Sequence, residues 1–342
     1  MMTAIDDDKR LVVVTGKGGT GRTTVAAALA LGAARSGRRT IVAEVGGQAR
    51  VPALLGVGAG GEAPVARDLW ATTIDTPAAL EEWLGRQLPR RLAGILARSG
   101  AFAGFVGAAP GARELVTVTK AWELGQARRW RRGAAGYDTV VLDAPASGHG
   151  LGLLRTPRTF ADIARVGPIA SQARAVAEAL ADPARSTLIA VALPGELAVA
   201  ETLELEARVA TTLGRPLDAI VVNGVWPRRI AAREAAAIAT RDGDVGARTR
   251  RAVAAAAGRV RAQQTQLARL RRDAAAAVHT LPFVFAERIG SEHLYAFSDR
   301  LDAAGLGQTS VRAGTALQVT PPPPTIGETT GEYDPRTGRP WA

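Results

Sequence analysis

The sequence predicts an α/β protein built on a doubly wound, mostly parallel sheet. The first observation is the apolar run 11–14, which is followed by a glycine-rich turn and then by an alanine-rich helical stretch. The second is that more short apolar runs recur along the chain and alternate with helical stretches, as expected for parallel strands joined by crossover helices. These runs are nearly continuous rather than alternating, which is typical of strands buried on both faces.

The first half of the chain begins with two predicted strands that flank one helix. The strands are Leu11–Thr15 and Thr40–Val45. The helix between them, Thr23–Ser36, is closed by Gly37. Residues from about 64 to 132 are expected to form a helix-rich subdomain with glycine and proline breaks. We interpret it as a packed helical cap, and a site for a protein client or a membrane partner is the alternative that stays open. An adaptable groove would be methionine-rich, and both methionines lie at the N-terminus.

The second half of the chain continues the alternation of strands and helices. Apolar β-branched runs predict strands, and the longer stretches between them predict helices. In order these elements are the strands Thr139–Leu142 and Ser186–Leu193, the helix Leu197–Leu213, the strand Ala219–Val225, the helix Arg248–Ala277, the strand Thr280–Phe285 and the helix Glu292–Ala304.

The composition restricts the class of protein and of partner. Of 342 residues, 47% are hydrophobic, which is enough for a sizeable core, and only 4% are aromatic. The absence of cysteine excludes disulfides, thiolate metal sites and cysteine nucleophiles. The formal net charge is +11, but the arginines are spread along the chain, so a nucleic-acid partner is not expected. Without a secretory signal or an apolar spanning stretch, we expect a cytoplasmic protein.

The glycine-rich turn predicts a phosphate-binding loop. Residues 16–24 fit the pattern G-x-x-x-x-G-K-[ST], except that Arg22 occupies the lysine position. Backbone N–H groups of such a loop and of the following helix point at phosphate oxygens. The Thr23 hydroxyl is the expected Mg²⁺ ligand, and Asp143, at the end of a buried strand, is the expected carboxylate behind it. The sequence therefore predicts a site for ATP and Mg²⁺.

Several segments, in order from about residue 10 to 304, resemble the ArsA-type ATPases. This family contains arsenite-pump ATPases and ATPases that target tail-anchored proteins, within the deviant Walker A class. Residues 17–24 resemble the class motif K-G-G-x-G-K-[ST]-T. Residues 143–154 resemble the family's D-T-A-P-T-G-H-T-x-R-L-L, and 192–202 are similar to its P-E-x-x-x-x-E-T segment. Residues 221–225 and 281–283 resemble its two adenine-side segments.

The resemblance implies a domain organisation and a role for each matching residue. It implies an ATPase domain over 11–313, preceded by a segment 1–10 that we expect to be flexible. The composition after this domain, with four consecutive prolines at 321–324, predicts a disordered, proline-rich tail over 314–342. Lys17 would reach across a dimer interface to the partner's phosphates, in a homodimer or in a heterodimer with an ArsA-like paralogue. The residues implied to bind phosphate and Mg²⁺ are Gly18, Gly19, Thr20, Gly21, Arg22, Thr23 and Thr24. Glu44 would orient the attacking water, Asp143 would act through magnesium-bound water, Gly148 would sense the γ-phosphate, and Asn223, Pro282 and Phe283 would line the adenine.

The chain departs from the family pattern at two catalytic positions and at two metal sites. Arg22 keeps the positive charge of the usual lysine, but as a wider planar fork, and Glu44 replaces an aspartate. By register, Val253 and Ala256 stand at the cysteine positions of the targeting ATPases' zinc clasp. The thiols that bind arsenite in pump ATPases are missing as well. The resemblance therefore does not imply arsenite transport.

Three functions stay open at this point. The first is a dimeric ATPase that hydrolyses ATP to cycle a helical subdomain. The second, favoured by Arg22, is a nucleotide-binding subunit that lacks hydrolysis and pairs with a paralogous ATPase. The third is a positioning ATPase similar to ParA or MinD, which would bind DNA in a salt-dependent way or carry a C-terminal amphipathic helix.

Overall fold

An eight-stranded sheet forms the centre of the protein. The computed structural model describes residues 10–46, 49–58, 60–87, 111–163, 166–240 and 246–306. Its strands are β1 (Arg10–Gly16), β2 (Thr40–Val45), β3 (Ala63–Ala66), β4 (Leu69–Ile74), β5 (Thr139–Asp143), β6 (Ser186–Ala192), β7 (Ala219–Val225) and β8 (Ala277–Pro282). The helices of these ranges are α1 (Arg22–Arg35), α2 (Arg50–Leu54), α3 (Thr76–Gln87), α4 (Ala112–Leu124), α5 (Ser147–Ile163), α6 (Pro168–Ala181), α7 (Glu196–Leu213), α8 (Ala232–Thr240), α9 (Ala247–Asp273) and α10 (Ser291–Ala303).

The order of strands in the sheet is β3-β4-β2-β5-β1-β6-β7-β8. All neighbours are parallel except β3 and β4. Alternate residues of β1 enter two separate apolar clusters: Leu11 and Val13 pack with α4–α7 and α9, and Val12 and Val14 pack with α1 and α10. Helices thus cover both faces of the sheet, and the predicted α/β, doubly wound, mostly parallel fold is confirmed.

The segment predicted to be helix-rich from about residue 64 begins instead with two strands. β3 and β4 pair antiparallel, and the turn between them places Asp68 at a φ of 59°. β4 then pairs in parallel with β2, which extends the sheet by two strands at its edge. Within 64–132, α3 and α4 are helical as predicted, and residues 88–110 lie outside the described residues.

Other element boundaries also differ from the prediction. The long helix α9 ends at Asp273 rather than at Ala277, and β8 starts at Ala277 rather than at Thr280. The predictions for residues 1–9 and for the tail 314–342 lie outside the described residues. Among the described residues, no helix is both long enough and apolar enough to cross a membrane.

A buried ionic cluster joins the β3 side of the sheet to the segment that leads into β5. Arg129, whose side chain is 0% exposed, donates to Glu123 at 2.9 Å and to Glu62 at 2.7 Å. The Tyr137 hydroxyl donates to the other Glu62 oxygen at 2.7 Å. Burial alone would raise the pKa of Glu62, but the hydrogen bonds from Arg129 and Tyr137 hold it below its usual range. The cluster therefore links the end of α4 to the segments that precede β3 and β5, and the buried Arg129 charge in it is paired with carboxylates.

Replacing Arg129 by leucine should destabilise the protein by about 3–5 kcal/mol, because the buried Glu123 and the half-buried Glu62 lose the guanidinium that they share, and Lys120 remains to offset only Glu123. Chemical denaturation followed by circular dichroism measures the effect. Arg128→Leu is the matched control, since Arg128 is the exposed neighbour. Equal midpoints for the two variants would contradict the role of the cluster.

Candidate nucleotide-binding site

The turn between β1 and α1 has the backbone of an open phosphate cradle. Gly16, Gly19 and Gly21 adopt φ values of 144°, 78° and 86°, which side-chain-bearing residues rarely take. The Thr20 hydroxyl donates to the Lys17 carbonyl at 3.0 Å and closes the turn. Helix α1 starts after Gly21 without a side-chain cap, so its first N–H groups remain available to an anion.

Two of these glycines are also required by close neighbours. A Cβ atom on Gly16 would overlap the carbonyl oxygen of Val191 in β6, and one on Gly21 would overlap the Asn223 amide. That amide, at the end of β7, donates to the Thr20 carbonyl at 3.0 Å. Asn223, predicted as an adenine residue, thus also supports the phosphate loop from the neighbouring strand.

Thr23 and Asp143 meet at the first turn of α1, as the predicted magnesium site requires. The Thr23 hydroxyl donates to Asp143 Oδ2 at 2.6 Å, and Asp143 is 8% exposed. Asp143 Oδ1 is buried and has no hydrogen-bond partner among the described residues. Burial raises the pKa of Asp143, and the charge of Glu44 adds to this, while Thr23 and Arg22 oppose it. A hydroxyl beside an unpartnered carboxylate oxygen fits Mg²⁺, which prefers oxygen ligands.

Arg22 points toward the segment after β5. Its guanidinium donates to the Ala144 carbonyl, one residue beyond Asp143. Burial lowers the pKa of Arg22, and the charge of Asp143 counteracts the shift. The arginine therefore ties the phosphate loop to the start of the segment between β5 and α5, and it neutralises part of the charge there.

Glu44 lies beside Asp143 in the register of β2 and β5, and it is 4% exposed. Both of its oxygens are engaged. Oε2 accepts the Val51 N–H at 2.7 Å, and Oε1 accepts the Thr73 hydroxyl at 3.3 Å. In this arrangement Glu44 anchors the start of α2 and the end of β4, so a role in orienting water requires it to release these partners.

The segment from Asp143 to the start of α5 borders a cleft of about 470 Å³ that also contacts the end of β2 and the starts of α3 and α4. Gly148 has open space around its Cα. His149 is 82% exposed in its side chain, 3.8 Å from Glu114 of α4. Pro145 and His149 line the cleft together with Val45, so the ends of β2 and β5 share this space.

The predicted adenine residues lie on the other side of the loop, at the ends of β7 and β8. Pro282 ends β8, and Phe283, 41% exposed, donates its N–H to the Val225 carbonyl at 2.9 Å. Trp226 and Phe285 pack against Phe283 with ring centroids 5.5 and 4.9 Å away. These two rings are not among the predicted adenine residues. The signal available was that aromatic residues are rare in this chain and that three of them follow adjacent strand ends.

Lys17 is an exposed residue near the start of the loop. Its ammonium lies 3.0 Å from Glu201 Oε1 on α7, with 48% of the lysine side chain and 28% of the glutamate side chain exposed. The loop residues Gly18 and Gly19 are exposed, whereas Thr23 and Thr24 are half-buried. The structure therefore brings together the loop, Glu44, Asp143 and Asn223 at one edge of the sheet, and it pairs Lys17 with Glu201 of α7.

Asp143→Asn should leave the protein as stable as the unchanged chain or more stable at neutral pH. The raised pKa of Asp143 means that its ionised form opposes folding, and asparagine removes that charge. The gain should shrink as the pH falls through the pKa of Asp143, because the native carboxyl then takes up a proton. Thermal melting of both proteins across pH measures this, with Asp162→Asn on the exposed side of α5 as the control. A large loss of stability at neutral pH would contradict it.

Comparison with known proteins identifies the family. Residues 9–166 match the family described as anion-transporting ATPase, ArsA type. The chain is 32% identical over 263 residues to the ATPase BagA of Mycobacterium tuberculosis, an alignment that covers 73% of this chain and 74% of BagA. It is also 36% identical over 151 residues to an uncharacterized protein of Streptomyces coelicolor, covering 43% of this chain and 37% of that protein. Together with the phosphate loop and the strand-end carboxylates described above, these matches show that the chain belongs to the ArsA-type ATPase family.

Proposed function

We propose that this protein binds ATP with Mg²⁺ and hydrolyses it in a dimer, and that the reaction drives a conformational cycle. The observation that carries the proposal is the buried Asp143 Oδ1, which has no hydrogen-bond partner within the described part of the chain. It lies next to the Thr23 hydroxyl, at the first turn of a helix without a side-chain cap. An unpartnered buried carboxylate oxygen is costly unless a ligand uses it. The site lies where a nucleotide's phosphates would meet the loop.

Different residues of this chain would bind the phosphates, the Mg²⁺ and the base of ATP. Backbone N–H groups of Gly18 to Thr24 would hold the phosphate oxygens, and Asn223 keeps the loop in shape from β7. Thr23 and Asp143 would hold Mg²⁺, which neutralises charge on the β- and γ-phosphate oxygens when bound. Pro282 and the exposed ring of Phe283 would contact the base. The adjoining Trp226 and Phe285 fix the orientation of that ring.

The catalytic roles need two residues to move. Glu44 would turn from the Val51 N–H toward an attacking water, which frees the start of α2. Lys17 would leave Glu201 and reach the phosphates of a partner subunit, in a homodimer or with an ArsA-like paralogue. Loss of the γ-phosphate would let the segments after Glu44 and Asp143 return to their positions in the nucleotide-free protein. Gly148 would sense the loss of the γ-phosphate.

The cleft beside His149 supports a coupling between ATP hydrolysis and the helices α3 and α4. It touches the ends of β2 and β5 and the starts of α3 and α4, so movement of either strand end changes its shape. We propose that a protein client or a membrane partner responds to this change through region 64–132. We also propose that the protein is cytoplasmic.

A second function, binding without hydrolysis, is favoured by the contact of Arg22 with the Ala144 carbonyl. A guanidinium held by this carbonyl would have to leave it to reach the γ-phosphate, and misplacing the γ-phosphate by about 1 Å can cost roughly 100-fold in rate. In that case a paralogous ATPase would supply the catalytic lysine.

Steady-state ATP turnover with Mg²⁺ tests the proposal. We expect magnesium-dependent turnover that Asp143→Asn lowers by about 100-fold or more, because the carboxylate that holds the metal is lost. Asp162→Asn should leave turnover unchanged. Binding of ATP without turnover would favour the second function, and absence of binding would contradict both.

Arg22→Lys distinguishes the two functions. A lysine ammonium is compact and can approach the phosphates, so turnover should rise about tenfold or more if the arginine fork limits the positioning of the γ-phosphate. Single-turnover hydrolysis measures the chemical step directly. If the unchanged protein hydrolyses ATP, an unchanged or lower rate in the variant would show that the arginine serves hydrolysis as it stands.

A further inference from the structure

The contact between Lys17 and Glu201 has a defined place in the fold. β6 pairs with β1 so that Val191 lies opposite Gly16, and α7 starts a few residues after β6. The beginning of α7 therefore stands beside the phosphate loop. Val199 and Thr202 of α7 are buried, which fixes the rotation of the helix and turns Glu201 toward the loop.

The loop side of the contact is equally fixed. The Thr20 hydroxyl holds the Lys17 carbonyl, and Asn223 holds the Thr20 carbonyl, so the backbone that carries the lysine is braced from two directions. What stays adjustable is the lysine side chain, which is 48% exposed. An ion pair that is exposed in this way is weak and exchanges readily for a stronger anion.

The type of cation at this position also matters. The chain has 43 lysines and arginines, and only Lys9, Lys17 and Lys120 are lysines. A lysine ammonium is a compact charge on a flexible stem, whereas a guanidinium makes a planar, two-pronged contact. A lysine ammonium is therefore better suited than a guanidinium to move from a carboxylate to a phosphate.

We propose that Glu201 is the positioning residue for Lys17: in the nucleotide-free protein it holds the ammonium outside the phosphate cradle, and it gives the ammonium up to the phosphates of a bound nucleotide. The inference rests on the proposed function for its second half only. The first half concerns the nucleotide-free protein and can be tested without ATP.

The first experiment measures how fast a limiting amine-acylating reagent modifies Lys17 in the nucleotide-free, full-length protein. With so few lysines, peptide mass spectrometry reports each one separately. Glu201→Gln should speed acylation of Lys17 about two- to fivefold, the range expected for loss of an exposed ion pair. Lys120, which is held by Glu82 and Glu123, is the internal reference. Glu204→Gln is the matched control on the same helix, where Glu204 pairs with Arg208. Equal Lys17 rates in the three proteins would overturn the proposal.

The second experiment measures the affinity for a non-hydrolysable ATP analogue with Mg²⁺ by titration calorimetry. Glu201→Gln should tighten binding about two- to fivefold, because Lys17 no longer has to leave a partner. The same change in a Lys17→Ala background should have no effect. An equal gain in both backgrounds would mean that Glu201 acts by repelling phosphate, and it would overturn the positioning role. Absence of binding by the unchanged protein would contradict the proposed function and the handover, while the acylation rates would still decide whether Glu201 holds Lys17.

Discussion

The parallel pairing of β1 with β5 on one side and with β6 on the other determines where the candidate site residues lie. It places Val14 opposite Asp143 and Gly16 opposite Val191. The carboxyl ends of parallel strands meet at one edge of the sheet, so groups far apart in the sequence converge there. The close approach of Gly16 to the Val191 carbonyl then leaves no space for a side chain. The shape of the phosphate loop is thus a consequence of the sheet as much as of its own glycines.

The same edge concentrates negative charge. Glu44 and Asp143 are register neighbours, both are buried, and the charge of Glu44 contributes to the raised pKa of Asp143. The two carboxylates differ in function because they have different hydrogen-bond partners. Glu44 has an N–H and a hydroxyl for its two oxygens, while within the ranges that the structure describes Asp143 has the Thr23 hydroxyl for one oxygen and no partner for the other. A cation therefore gains more from Asp143, which makes it the candidate metal residue of the pair.

The sequence predicts the central strands well because they are continuous apolar runs buried on both faces. It fails at β3 and β4, where the segment around Pro64 resembles a break and the strands lie at the edge of the sheet. It also fails at the end of α9, since an alanine run carries no stop signal. The Glu206 carboxylate accepts the N–H groups of Ala275 and Ala276 there, a tertiary contact that sequence periodicity does not show.

For the candidate site, the sequence predicts that Thr23 and Asp143 act together, and the structure places them in contact. The partners of Glu44 could not be anticipated. Thr73 belongs to a strand that the sequence did not reveal, and Val51 belongs to a helix of five residues. The bond from Asn223 to the loop depends on how β7 follows β6 in the sheet, which is a property of the topology.

The two cations of the loop are held in contrasting ways, and this contrast indicates which of them can respond to a nucleotide. Arg22 is half-buried, and its guanidinium is bound by the Ala144 carbonyl close to Asp143. Moving it would remove a positive charge that offsets the buried Asp143 carboxylate, which is costly. Lys17 is exposed and paired with a half-buried carboxylate, so moving it costs less. The arrival of phosphate should therefore displace Lys17 first, and Arg22 should stay with the segment after β5.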